Sequence, residues 1–236
     1  MNGGRALSFV VLMGVFLAGC ASHPEGVAFR VGDARMTAPV KSVLELRNAK
    51  LIRQGWDISC GAAALSTILT YQFEEAYSEA TIVVSILKNT DPQLVRERGG
   101  FSLLDLKRFT EAVGYRASGY GELSIEDLEA FDVPAILPVR IRNYDHFVVF
   151  RGRAGNRVLV GDPAFGNLTI PIEEFFEMWP SRIGFMVFQD DELAFKGNAL
   201  APNTMNLMVP NLNHVYRMLN AGGVLPATRR AGAGYP

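Results

Sequence analysis

Thiol and imidazole groups, which suit nucleophilic catalysis, are scarce in this chain: it has two cysteines and three histidines. One of the cysteines, Cys60, is followed by Gly61 and a run of helix-forming residues, so we expect its thiol at the N-terminus of a helix. The positive end of the helix dipole and the unpaired N–H groups there stabilise a thiolate, the nucleophilic form of cysteine. The alternative is a buried cysteine that acts as a small apolar side chain.

A nucleophilic thiol needs a base, and the positions of the histidines favour one of them. His23 lies near the N-terminus and His214 in an irregular region, whereas His146 begins a short apolar stretch of strand type. If the hairpin turn that follows is centred on Ala154, His146 opposes Asp162, with Cβ atoms roughly 5 Å apart. A carboxylate beside an imidazole orients a catalytic histidine and stabilises its charged form. The alternatives are a structural histidine and an aspartate that belongs to a turn.

Gln54 lies six residues before Cys60. A side-chain amide at this position could donate a hydrogen bond to an oxyanion that forms beside the nucleophile. Cysteine and histidine are too few for a zinc site. We therefore expect thiol chemistry without a metal or another cofactor.

The elements that must position these residues change in type along the chain. In the first half, apolar residues recur at helical spacing, as over residues 61–73, and Ser-x-x-Asp capping boxes begin at Ser102 and Ser124. In the second half, strands are predicted at Ala135–Ile141, 146–151, 157–161 and 183–189, with a hairpin turn at 153–157 and a short helix at 172–179. Helices first and an antiparallel sheet second indicate an α+β domain.

The composition excludes several classes of protein. Hydrophobic residues make up 49% of the chain, charged residues 20%, and the formal net charge is −1. A disordered chain would need lower hydrophobicity and a higher net charge. The near-neutral balance gives no basis for binding a phosphate backbone, so we expect no nucleic-acid partner. Two cysteines also cannot form a disulfide scaffold.

The N-terminal residues 1–19 have the pattern of a secretory signal peptide, and the apolar run of about a dozen residues is shorter than the roughly 20 that span a bilayer. Leu17-Ala18-Gly19-Cys20 resembles the lipobox of bacterial lipoproteins, which implies cleavage before Cys20 and lipidation of that residue. The alternative is an ordinary signal peptide cut after Ala21. By analogy, alanine after the cysteine favours the outer membrane, so we expect a lipid anchor on its periplasmic face.

These patterns divide the chain into four parts. They are a signal peptide at 1–19, a tether at 20–46 that leads into a short strand near residues 40–46, a folded domain at 47–189 and an irregular tail at 190–236. With Cys20 lipidated, Cys60 is the one free thiol of the mature chain. Unpaired thiols are unusual in oxidising compartments, which favours a reactive role for Cys60.

Three motifs resemble those of the double-glycine, or bacteriocin-processing, cysteine peptidases, a papain-like group. They occupy residues 54–65, 145–150 and 160–166, and the resemblance extends over about residues 47–189. It implies a papain-like fold in which a helical N-terminal half packs on an antiparallel sheet. It also implies that Cys60 is the nucleophile and His146 the general base and acid. Asp162 would orient the histidine, and Gln54 would donate to the oxyanion.

Within this family, the resemblance is greatest to stand-alone exported members found beside functional-amyloid secretion genes, through the stretch at residues 99–107. Ser59 departs from the acidic residue that many members carry before the cysteine. The chain shows no transporter segment and no nucleotide-binding motif, so we expect no link to ATP.

The sequence therefore predicts a lipid-anchored cysteine endopeptidase. Its substrate would be an exported polypeptide, such as a secreted amyloid subunit or a leader-bearing peptide. Two alternatives remain: a non-catalytic lipoprotein that binds or assembles polypeptides, and a thiol acyltransferase on the same fold.

Overall fold

The computed structural model describes residues 27–31, 34–38, 41–142, 144–189 and 197–202. They belong to two compact units, Met1–Lys41 and Ser42–Pro236. In the first unit, strand β1 (Val27–Val31) pairs in antiparallel register with β2 (Ala34–Ala38), so the predicted tether contains a hairpin. The predicted signal peptide and Cys20 lie outside the described residues.

The second unit carries the residues of interest. Its helices are α1 (Val43–Asn48), α2 (Cys60–Gln72), α3 (Glu79–Leu87), α4 (Pro92–Arg98), α5 (Leu103–Ala112), α6 (Ile125–Ala130) and α7 (Ile172–Met178). Its strands are β3 (Arg116–Tyr120), β4 (Ala135–Ile141), β5 (Tyr144–Ala154), β6 (Arg157–Asp162), β7 (Gly166–Pro171) and β8 (Gly184–Phe188). Among the described residues, no helix is both long and apolar enough to cross a membrane.

The six strands form one antiparallel sheet in the order β3-β8-β4-β5-β6-β7. One face packs against α2, α3 and α5, through fully buried residues such as Leu65 and Ile82. The other face packs against α6 and α7, where Phe175 and Trp179 are fully buried. The helices come mainly from the first half of the domain and the sheet mainly from the second, which confirms the predicted α+β class.

Local capping chemistry accounts for several helix starts. The capping boxes at Ser102 and Ser124 are both present, as predicted. A third box begins α1, where Glu45 N donates to Ser42 Oγ and Ser42 N donates to Glu45 Oε2. The predicted strand near residues 40–46 is therefore wrong, because this box satisfies the end groups of a helix instead.

Three elements of the second unit that the sequence analysis missed, β3, β7 and α4, have weak apolar patterns. Strands β3 and β7 are at the two edges of the sheet, so each pairs along one side only. An edge strand tolerates polar and small residues, such as those at residues 116–119. Helix α4 follows the N-cap residue Asp91, whose side chain accepts from Gln93 N.

The β5–β6 hairpin differs in register from the prediction. The turn is Gly155-Asn156, since Ala154 pairs with Arg157. A β-bulge at Arg151 then shifts the pairing between Phe150 and Gly152, and Val149 pairs with Gly161. The predicted direct opposition of His146 and Asp162 is therefore wrong.

The bulge nevertheless keeps these two residues on one face. The displaced turn alone would move Asp162 to the opposite face from His146, because successive side chains of a strand alternate. The extra residue Arg151 reverses that change. His146 and Asp162 consequently meet diagonally across the strand pair.

Part of the predicted irregular tail packs on the domain. Residues 197–202 have no regular structure, but Leu200 is fully buried. Asn198 Nδ2 donates to the Arg151 carbonyl at 3.0 Å, and Arg151 Nε donates to the Leu200 carbonyl at 2.8 Å. Burial lowers the pKa of Arg151 to about 10. Residues 190–196 and 203–236 lie outside the described part of the chain.

Candidate active site

Cys60 is the first residue of α2 and is 4% exposed. The following Gly61 lies close to β5, because a Cβ built there would be 3.1 Å from Phe147 and 3.3 Å from Leu106. The absence of a side chain at Gly61 lets the first turn of α2 approach the strand that carries His146. The sequence prediction of a helix directly at Cys60 is confirmed.

His146 and Asp162 form a buried pair. His146 Nε2 and Asp162 Oδ1 are 2.9 Å apart, and both side chains are less than 5% exposed. The same carboxylate oxygen accepts from the backbone N–H groups of Ala164 at 2.7 Å and Phe165 at 3.1 Å. Asp162 therefore both accepts hydrogen bonds from its own turn and contacts the imidazole.

The imidazole lies between Asp162 and Cys60. The side chains of Cys60 and His146 interact, and both line one cavity of about 210 Å³. Because Asp162 occupies Nε2, the other ring nitrogen, Nδ1, is the one left for the thiol.

The charge state of His146 follows from these neighbours. Burial on its own would lower the pKa of His146, because it penalises the charged ring. The negative charge and hydrogen bond of Asp162 outweigh burial, and together with Cys60 they raise the pKa of His146 to about 10. The raised pKa favours the charged form of the ring, which suits a thiolate–imidazolium pair.

Gln54 lies in the loop that precedes α2. Its backbone N–H donates to the Pro163 carbonyl at 3.0 Å, so the loop is attached to the turn that follows Asp162. Its side-chain Nε2 donates to the Trp56 carbonyl at 3.0 Å. A primary amide has two N–H donors, and this contact uses one of them.

Residues 99–102 and Tyr144 also border the site, and the sequence reasoning gave them no role in the chemistry. The loop at 99–102 lines the cavity with Cys60 and His146. The Tyr144 hydroxyl donates to the Asp57 carbonyl at 3.1 Å, and its ring centroid lies 6.2 Å from that of His146. Burial raises the pKa of Tyr144, as do the charges of Cys60 and Asp57. In the sequence, the feature that could have indicated a place for Tyr144 at the site is its position two residues before His146.

The comparisons with known proteins point to one family. The Peptidase C39 family matches residues 48–191. The probable functional amyloid protease FapD of Pseudomonas aeruginosa is 43% identical over 169 residues, which cover 72% of this chain and 73% of that protein. The probable functional amyloid protease FapD of Pseudomonas fluorescens is 39% identical over 148 residues, which cover 63% of this chain and 65% of that protein.

A solved structure shows the same fold. The peptidase domain of Streptococcus ComA, a bifunctional ABC transporter involved in quorum sensing, aligns with a TM-score of 0.50 at 20% sequence identity. The alignment covers 59% of this chain and 98% of that domain. This shared fold confirms the expected architecture, and the family match confirms the peptidase family that the motifs indicated. The chain belongs to the Peptidase C39 family and is a cysteine peptidase that acts on peptides.

Proposed function

We propose that this protein is a lipid-anchored cysteine endopeptidase that uses Cys60, His146 and Asp162 to cleave an exported polypeptide. The observation that carries this proposal is the buried His146–Asp162 pair beside a thiol at a helix N-terminus. A charged imidazole there stabilises a thiolate and holds the proton that the leaving amine will need.

In the first half of the reaction, the Cys60 thiolate attacks the carbonyl carbon of the scissile peptide bond. The carbonyl oxygen becomes an oxyanion, which accepts from the Gln54 amide and from N–H groups at the start of α2. The C–N bond then breaks, and His146 donates its proton to the leaving amine. The products are a free amine and a thioester on Cys60.

In the second half, the neutral His146 accepts a proton from a water molecule, whose oxygen attacks the thioester. The C–S bond breaks, a carboxylic acid leaves, and the thiolate and the charged imidazole are restored. Asp162 remains ionised throughout, and its hydrogen bond to Nε2 keeps Nδ1 directed at the reacting atoms.

The substrate that we propose is a secreted amyloid protein or its leader segment. Two relatives bear the name probable functional amyloid protease, and the alignment with the Pseudomonas aeruginosa protein covers 73% of that protein. A lipid on Cys20 would hold the enzyme at the periplasmic face of the outer membrane, on the route that an exported protein takes.

Alkylation of Cys60 tests the proposed thiolate–imidazolium pair. At pH 6 a free cysteine is ionised to less than about 1%. We expect iodoacetamide to modify Cys60 at least about tenfold faster than free cysteine, since the charged His146 favours the thiolate. Mass mapping of the modified peptide would locate the label, and the His146→Ala variant should lose the acceleration. Labelling no faster than that of free cysteine would favour a non-catalytic polypeptide-binding lipoprotein.

The lipid anchor is tested at Cys20. The Cys20→Ser variant should lose incorporation of a clickable fatty acid and move from the membrane fraction to the soluble fraction. The reason is that each buried CH₂ of an acyl chain contributes about 0.8 kcal/mol to membrane binding. The Cys60→Ala variant should keep the label. Incorporation into Cys20→Ser equal to that of the wild type would contradict lipidation at this residue.

A further inference from the structure

Glu79 is a buried carboxylate next to the loop that joins Gln54 to Cys60. It is 8% exposed and is the first residue of α3. The backbone N–H of Gly55 donates to both carboxylate oxygens, at 3.0 and 2.9 Å. The Ser59 hydroxyl contributes a further, short hydrogen bond to Glu79 Oε1. A carboxylate is costly to bury unless hydrogen bonds compensate it, so these donors and Glu79 depend on each other.

The carboxylate changes what Ser59 does at the start of α2. Ser59 is the N-cap residue, but its side chain forms no capping hydrogen bond with the helix. The serines at four other helix starts do cap their helices, namely Ser42, Ser78, Ser102 and Ser124. Because the Ser59 hydroxyl bonds to Glu79, it does not cap the first N–H groups of α2.

The remaining loop contacts connect Glu79 to Gln54. Trp56 N donates to Ser59 Oγ at 3.3 Å. The Trp56 carbonyl lies 2.7 Å from the same hydroxyl and accepts from Gln54 Nε2 at 3.0 Å. The Ser59 hydroxyl has one proton. If that proton is donated to the Glu79 carboxylate, the Trp56 carbonyl accepts a hydrogen bond from the Gln54 amide alone. Glu79 thus contacts the residue after Gln54 and the residue before Cys60.

We propose that Glu79 is a positioning residue for the peptidase reaction. It holds the loop so that the Gln54 amide and the N–H groups at the start of α2 converge on one oxyanion. This inference rests on the roles proposed above for Cys60 and Gln54. Misplacing a catalytic group by about 1 Å can cost about 10²-fold in rate, so a loosened loop would slow the chemical step.

The test compares two reactions of the same thiol in full-length Glu79→Gln. Cleavage of a fluorogenic peptide, selected with the wild type from a library, passes through an oxyanion, whereas alkylation by iodoacetamide does not. We expect kcat to fall about 10- to 100-fold, KM to stay within about threefold, and the alkylation rate to stay within about threefold. Glu111→Gln, which alters an exposed carboxylate paired with Lys107, should change neither reaction.

A double-variant cycle tests whether Glu79 affects kcat through Gln54. If Glu79 acts through the oxyanion site, the Gln54→Ala variant should lose little more when Glu79→Gln is added. An unchanged kcat in Glu79→Gln would overturn the inference. A parallel fall in cleavage, alkylation and melting temperature would also overturn it, because a purely structural role predicts that result.

Ser59→Ala provides a second variant if Glu79→Gln does not fold. It removes one hydrogen bond to the carboxylate and leaves Gly55 bound. We expect kcat to fall about threefold to tenfold with alkylation unchanged, and a wild-type kcat would refute the inference. Failure of the proposed function would look different, because the wild type would then cleave no faster than Cys60→Ala.

Discussion

Replacing Cys60 by alanine is expected to reduce peptide cleavage by about 10⁴-fold or more, since the members of a catalytic triad act as a unit. The thiolate forms the covalent bond to the substrate, and no side-chain atom of alanine can replace it. The fold should survive, because alanine has a good helix propensity and α2 already contains three consecutive buried alanines, Ala62 to Ala64.

The measurement is the rate of cleavage of the selected fluorogenic peptide, with circular dichroism to verify folding. Cys20→Ala, assayed in detergent, is the matched control because it changes the other cysteine of the chain. It should cleave at the wild-type rate. Cleavage by a folded Cys60→Ala at that rate would remove Cys60 from the mechanism.

The Asp162→Asn variant is expected to lower kcat/KM at pH 7.5 by about 10²- to 10⁴-fold. Asparagine keeps an oxygen for the N–H groups of Ala164 and Phe165, so the turn should persist. The variant loses the negative charge that raises the pKa of His146 to about 10. Without that charge, the pKa of the buried His146 falls, so a smaller fraction of the ring is charged at pH 7.5 and the thiolate is stabilised less.

The pH profile distinguishes this electrostatic effect from a general loss of activity. The activity that depends on charged His146 is present at low pH and is lost as the pH rises through the folded-state pKa. The alkaline limb of kcat/KM should therefore move to lower pH in Asp162→Asn. Asp127→Asn, which alters a capping carboxylate at the start of α6, should leave the limb unchanged. An unshifted limb in Asp162→Asn would contradict the proposed role of Asp162.

The same pair makes stability depend on pH. The pKa of His146 is raised in the folded state above its ordinary value near 6.5. The resulting stabilisation is fully present below pH 6.5 and is lost as the pH rises toward 10. In Asp162→Asn, the free energy of unfolding, measured by denaturant titration at several pH values, should depend less on pH between 6.5 and about 10.

Many elements could be predicted from short stretches of sequence. The helix at Cys60, the capping boxes at Ser102 and Ser124 and the turn around Gly155 depend on residues within about four positions of each other. The edge strands β3 and β7 were missed, because their apolar patterns are short, and β3 pairs with β8, which is distant along the chain. Helix α1 was mistaken for a strand, although its capping box at Ser42 is local.

The contacts of Glu79 could not be predicted from local sequence. It lies 20 residues from Ser59 and 24 from Gly55 in sequence, and nothing in its surroundings distinguishes it from an ordinary first-turn glutamate of a helix. Its buried contacts exist because α3 packs against α2 and brings its first residue to the loop before Cys60. Burial of this kind is decided by helix packing.

The sequence by itself determined the family, the candidate nucleophile and its helix, because motif residues and the helix-forming run that follows Cys60 are local properties. Only the tertiary structure decided how His146 and Asp162 meet. The bulge at Arg151 sets the face on which Asp162 lies, and the Arg151 side chain is held by the carbonyl oxygens of Ala49 and Leu200. Those partners are 102 and 49 residues away in the chain, so only the folded structure brings them to the strand.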